Sequence, residues 1–119
     1  DIIIVDDMIS SGESMLEVAM KLKNLGCGRI FVCTTFGLFC NGLDVFDKAY
    51  KDGVFYRVFT TNGVYQPQEL LDREWYVSVE LSKYAAYLID TLNHDMSVSN
   101  LLDSSAKIDT LLKNKGLKD

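Results

Sequence analysis

A chain of 119 residues, 48% hydrophobic and 24% charged, has the length for one domain around one core and is too apolar to stay disordered. Its formal net charge of −5 gives no electrostatic footprint for nucleic acid. No apolar run approaches the roughly 20 residues that cross a bilayer, so neither nucleic acid nor membrane is an expected partner.

The chain opens on Ile2-Ile3-Ile4-Val5, four β-branched residues without a polar break. A fully apolar run of this length reads as a central strand of a parallel sheet, covered on both faces. Because Asp1 already lies in that strand and is not a Met, the chain is expected to be part of a longer protein. Asp6 and Asp7 follow, then the turn Ser10-Ser11-Gly12-Glu13-Ser14. Met15, Leu16, Val18, Ala19, Leu22 and Leu25 then recur at helical spacing, and Gly26 suits the left-handed end of that helix. Arg29 to Thr34 is a second apolar strand, which completes a βαβ unit. Thr35 to Asn41 is expected as a loop at the same sheet edge, and Gly42 to Lys51 as a short helix burying Leu43, Phe46 and Tyr50. After the turn at Asp52-Gly53 comes a third strand, Phe55 to Thr60. A fourth, near Tyr76 to Ser78, precedes a long helix from Val79 to Asn93 with Leu81, Tyr84, Ala85, Leu88, Ile89 and Leu92 as its buried stripe. The tail from Ser104 to Leu112 is amphipathic, and the polar residues after it are expected to fray. Cys27, Cys33 and Cys40 have neither the number nor the paired spacing of a disulfide framework or zinc site. They read as reduced thiols in a cytoplasmic protein, with Cys33 buried in a strand.

This order specifies an α/β fold with a mostly parallel sheet flanked by helices. Open α/β sheets bind ligands at the carboxyl ends of their strands, where the turn after the first strand falls. Ser10, Ser11 and Ser14 offer hydroxyls, Gly12 lets backbone approach a ligand, and the following helix offers free N–H groups to an anion. Asp6 and Asp7 would repel a phosphate and must serve something else. A sugar phosphate, anionic at one end and hydroxylated at the other, satisfies both halves. The alternative is structural: Ser11 and Ser14 as an ordinary helix start and the aspartates as turn residues.

The string VDDMISSGESM resembles the signature of the type I phosphoribosyltransferase fold. The resemblance implies that Asp6 and Asp7 hold the ribose 2- and 3-hydroxyls, and that Ser10, Ser11, Gly12, Glu13 and Ser14 form the loop for the 5-phosphate. Ser10 stands where most members carry an acid, and Glu13 where they carry glycine, lysine or another small residue. Thr61-Asn62, Val77-Ser78-Val79 at the opening of the long helix, and Ser97-Val98-Ser99-Asn100-Leu101 follow in order. This series resembles the C-terminal half of the ribose-phosphate pyrophosphokinases, or phosphoribosyl pyrophosphate synthetases, over residues 1–103. That span reads as a phosphoribosyltransferase-like domain incomplete at its N-terminal side, with 104–119 a helical extension.

The resemblance implies transfer of diphosphate from ATP to ribose 5-phosphate with Mg²⁺ in the full-length enzyme, for nucleotide biosynthesis. Ribose 5-phosphate would meet this segment, ATP would meet parts of the chain not in it, and the enzyme would assemble as a homo-oligomer. No catalytic residue and no metal ligand is expected in this segment, which alone should not turn over. A phosphoribosyltransferase of nucleotide salvage and a non-catalytic, regulatory synthetase-like subunit are the alternatives. Where synthetases often read Cys-Thr-His, this chain has Cys33-Thr34-Thr35-Phe36. Ser97 and Ser99 keep the hydroxyls of a regulatory phosphate site at a subunit interface, while Asn100 and Leu102 replace aromatics there; a serine-capped turn is an equal reading. His94 reads as a solvated helix end, and Trp75, Tyr76, Tyr84 and Tyr87 as core or interface.

Overall fold

The computed structural model describes residues 1–99 and 103–117. It forms two compact units, Asp1–Leu81 and Ser82–Asp119. In the first, β1 (Ile2–Ile9), β2 (Ile30–Gly37), β3 (Arg57–Thr61) and β4 (Tyr76–Val79) form one sheet in the order β1-β2-β3-β4. Every pairing is parallel. Helices α1 (Glu13–Asn24), α2 (Asp44–Lys51) and the single turn α3 (Gln68–Leu71) make the connections. All four strands therefore end, and all their following loops begin, at one edge.

Register decides which side chains share a face. Ile4 pairs with Val32, Val32 with Val58 and Val58 with Tyr76. This row joins Met15, Leu16 and Ala19 of α1 and Phe46 of α2 in one core. Aromatic rings fill its centre. Phe46 stacks on Trp75 with ring centroids 5.5 Å apart, and Phe39 stands nearly perpendicular to Phe46 at 4.9 Å. The indole N–H of Trp75 donates to Asp47 Oδ1 at 2.7 Å. Arg73 Nε donates to both oxygens of the same carboxylate, at 3.1 and 3.0 Å.

The opening strand departs from its expectation. β1 lies at an edge of the described sheet, and its second face is open, with Ile3 65% and Val5 78% exposed. Composition reports a capacity for burial; burial itself needs a covering element, and the core gathers on the Ile2 and Ile4 side. β2 runs three residues further than expected, so Thr35 to Gly37 are strand and not loop. Val77, Ser78 and Val79 belong to β4 and do not open a helix. α3 has too short a pattern to be read from the sequence. Val18 and Leu25 of the α1 stripe are exposed, and Cys33 is half-buried, all three thiols being free.

In the second unit α4 spans Ser82–Asn93 and α5 spans Ser105–Asn114. α4 has the expected stripe, yet none of its residues is buried, and Tyr84, Ile89 and Leu92 are exposed. Asn100, Leu101 and Leu102 lie outside the described residues. No helix among the described residues is long and apolar enough to cross a membrane.

Candidate functional site

β1 delivers Asp6 and Asp7 to the carboxyl edge of the sheet, and both are exposed. Asp6 sits level with Thr34 of β2. Its Oδ1 accepts the Asp7 N–H at 2.9 Å. Asp6 also lines a depression of about 370 Å³, with Val5, Cys33, Thr34, Thr35 and Thr61 among others, a volume in the range of small-molecule sites.

The turn after β1 is built for a sharp entry into α1. Gly12 is the N-cap, at φ +86° and ψ −5°, and no side chain caps the helix. Left-handed backbone favours glycine, and a Cβ here would lie 2.1 Å from Phe46 Cζ. The glycine is therefore demanded from below, by the ring under the loop. Ser11 Oγ accepts the Glu13 N–H only at 3.4 Å. Since the helix start is not closed by a serine cap, the amides of its first turn keep their capacity for an outside acceptor. Ser10 and Ser14 are exposed and Ser11 is half-buried.

A second loop holds the first. Residues 38–43 leave β2 beside the end of β1. Leu38 N–H donates to the Ile9 carbonyl at 2.8 Å and Cys40 N–H to the Ser10 carbonyl at 2.9 Å. The Ser10 hydroxyl points to Cys40 Sγ at 3.8 Å, and Asn41 Nδ2 donates to Glu13 Oε1 at 3.3 Å. Phe39 carries the loop across in a left-handed conformation, φ +49°, with its ring sunk in the aromatic core.

The third and fourth strand ends are tied by side chains. Thr61 Oγ1 donates to the Thr35 carbonyl at 2.7 Å. Asn62 donates its N–H to Val79 and accepts the Leu81 N–H at 2.8 Å through Oδ1, which gives that residue a bracing role. Gln66 Nε2 donates to the Thr61 carbonyl at 2.9 Å and to Tyr76 Oη at 2.7 Å, while its Oε1 accepts Ser78 Oγ at 2.6 Å. Thr60 Oγ1 and Tyr76 Oη are 2.6 Å apart in the same network. Burial raises the Tyr76 phenol above its ordinary value, against the lowering effect of the Thr60 and Gln66 hydrogen bonds. Tyr76 is only 6% exposed, so it packs this domain and presents no interface.

In the second unit the Ser97 and Ser99 hydroxyls lie 2.8 Å apart, and Ser97 Oγ accepts the Ser99 N–H at 3.3 Å. That is a serine-closed turn. His94 sits exposed at the end of α4, Nδ1 3.3 Å from Asp90 Oδ1. Among the described residues no three His, Cys, Asp or Glu side chains gather to hold a metal ion.

Cys40, Asn41 and Gln66 escaped the reading of the sequence. Cys40 and Asn41 act across 30 and 28 residues, and Gln66 works inside a loop without a pattern. No local signal marks such partners.

No family model matches the chain. Curated proteins named ribose-phosphate pyrophosphokinase do. The one from Vibrio cholerae is 27% identical over 103 residues, which is 87% of this chain and 32% of that protein. The one from Mycoplasmopsis pulmonis is 29% identical over 105 residues, 88% of this chain and 31% of its own length. A shorter match, to the Pyrococcus abyssi protein, reaches 45% identity over 42 residues, 35% of this chain and 15% of that protein. Among solved structures, phosphoribosylpyrophosphate synthetase from Mycobacterium smegmatis superposes with a TM-score of 0.67 at 17% identity, covering 78% of this chain and 30% of that one. At that identity the superposition speaks for the fold. The chain spans about a third of the length of the curated relatives it matches over most of its own. Over most of its length the chain is similar to proteins named ribose-phosphate pyrophosphokinase, and it has a phosphoribosyltransferase-like α/β fold.

Proposed function

We propose that this chain is the ribose-5-phosphate-binding portion of a ribose-phosphate pyrophosphokinase. The observation that carries the reading is the division of the carboxyl edge into two chemistries. Two exposed carboxylates, Asp6 and Asp7, stand directly before an uncapped helix start. Carboxylates accept hydrogen bonds from sugar hydroxyls, and amides at a helix start accept an anion. Asp6 and Asp7 fix the ribose, and the 10–14 loop takes the phosphate. The relatives' name supports this over a salvage phosphoribosyltransferase.

The reaction moves diphosphate from ATP to the anomeric hydroxyl of ribose 5-phosphate. This segment contributes position and electrostatics, as phosphoryl-transfer sites do in general. ATP, and the Mg²⁺ that neutralises its phosphates, are held by parts of the full-length enzyme outside this segment. The whole enzyme works in the cytoplasm as a homo-oligomer. Its domain here runs over 1–103, with 104–119 as an extension; Ser97 and Ser99, within that domain, serve a turn and are the candidates for a regulatory phosphate site.

Calorimetric titration with ribose 5-phosphate tests the reading. Wild type binds, and Asp7→Asn loses roughly tenfold or more, the worth of hydrogen bonds to a charged group. Equal binding by both refutes the assignment.

A further inference from the structure

Glu13 presents a difficulty to any phosphate held by the 10–14 loop. A carboxylate in the first helical turn suits the helix dipole, but beside a bound phosphate it repels. The structure places this carboxylate elsewhere. Glu13 lines the groove between α1 and α2 together with Leu16, Met20, Val45 and Lys48. Asn41 of the 38–43 loop donates to its Oε1 at 3.3 Å. The neighbouring Cys40 N–H is anchored on the Ser10 carbonyl, so Asn41 is held in place by the same loop it serves.

We propose that Asn41 is a positioning residue which draws the Glu13 carboxylate off the mouth of the 10–14 loop, so that an arriving phosphate meets amides and hydroxyls without a competing anion. The inference rests on the phosphate-loop reading above. Asn41 touches no ligand. It acts through Glu13, and its whole effect is electrostatic. Released from Asn41, the carboxylate is free to swing towards a bound phosphate. Like charges about 6 Å apart in water-like dielectric repel enough to weaken binding about fivefold.

The experiment is ribose 5-phosphate titration of the protein in four forms: wild type, Asn41→Ala, Glu13→Gln and the double variant, at low and at high salt. Asn41→Ala is expected to weaken binding about fivefold at low salt, and less at 0.5 M salt, where screening is short-ranged. Glu13→Gln binds at least as tightly as wild type, and in its background Asn41→Ala changes nothing. An Asn41→Ala loss that persists with Glu13→Gln, or that ignores salt, makes Asn41 merely structural and overturns the proposal. So does an Asn41→Ala variant that binds like wild type. Absence of binding in all four forms refutes the phosphate-loop reading itself, and this inference with it.

Discussion

The ring of Phe46 lies directly beneath Gly12, so close that a Cβ on the glycine would sit 2.1 Å from Cζ. Helix α2 thereby sets the height of the turn that begins helix α1. Gly12→Ala must adopt φ +86° and also displace a fully buried ring. Left-handed strain of about 1–2 kcal/mol and overpacking of about 1–3 kcal/mol predict a loss of roughly 2–5 kcal/mol in urea unfolding. Gly53→Ala is the control. Its φ is +71° but nothing lies within 4 Å of the added atom, so only the strain of about 1–2 kcal/mol is expected.

Asp47 ties α2 to the connection between α3 and β4 by accepting from Arg73 and from the Trp75 indole. Its side chain and that of Arg73 are 27% and 33% exposed. Asp47→Ala leaves a buried indole N–H without its acceptor and an arginine without its carboxylate. A loss of about 2–3 kcal/mol in denaturant unfolding is expected. Asp47→Asn keeps an acceptor for the indole and loses about half as much.

Tyr76 predicts an alkaline effect. Its phenol is raised above the ordinary tyrosine value by burial, so the folded state holds the proton more tightly than the unfolded chain. A group raised in this way contributes stability that is whole below the unfolded pKa and is lost as pH climbs through the folded one. Melting temperature should therefore fall more steeply above pH 10 in wild type than in Tyr76→Phe. Below pH 9 the variant is the less stable of the two, because it lacks the Thr60 and Gln66 bonds, at a cost of about 1–2 kcal/mol.

Asp7→Asn separates binding from stability. The side chain is exposed, and surface exchanges of this kind shift unfolding by less than about 0.5 kcal/mol. The variant proposed above to lose sugar phosphate should keep the wild-type urea midpoint. A parallel drop in stability would trace the loss of binding to damage in the fold.

Ile3 and Val5 give β1 an open apolar face at a sheet edge. Exposed apolar edge strands pair with other chains. Sedimentation velocity on this chain should show concentration-dependent self-association, relieved in Ile3→Lys and Val5→Lys.

Much of the fold was legible because it is local. The apolar runs at Ile2–Val5 and Ile30–Thr34 and the apolar stripe from Met15 to Ala19 sit in the strands and helix expected of them. Boundaries slipped where packing overrode pattern, as at Thr35 to Gly37, whose pairing with β1 extends the strand. Burial was less legible than periodicity. The stripes of β1 and α4 state what a side chain can bury, and the rest depends on what lies against it. At the edge that carries Asp6, Asp7 and the 10–14 loop, the residues were readable and their supports were not. Asn41 and Cys40 reach back almost thirty positions, and nothing near them in the chain announces it.

Phe39 carries one more consequence. Its ring belongs to the aromatic centre while its backbone carries Cys40 and Asn41 to the rim. The keel of the domain and the rigging of its mouth are thus one residue. A change that lightens the rings, such as Trp75→Leu, should be felt as looser grip on cargo at temperatures where the body has yet to melt.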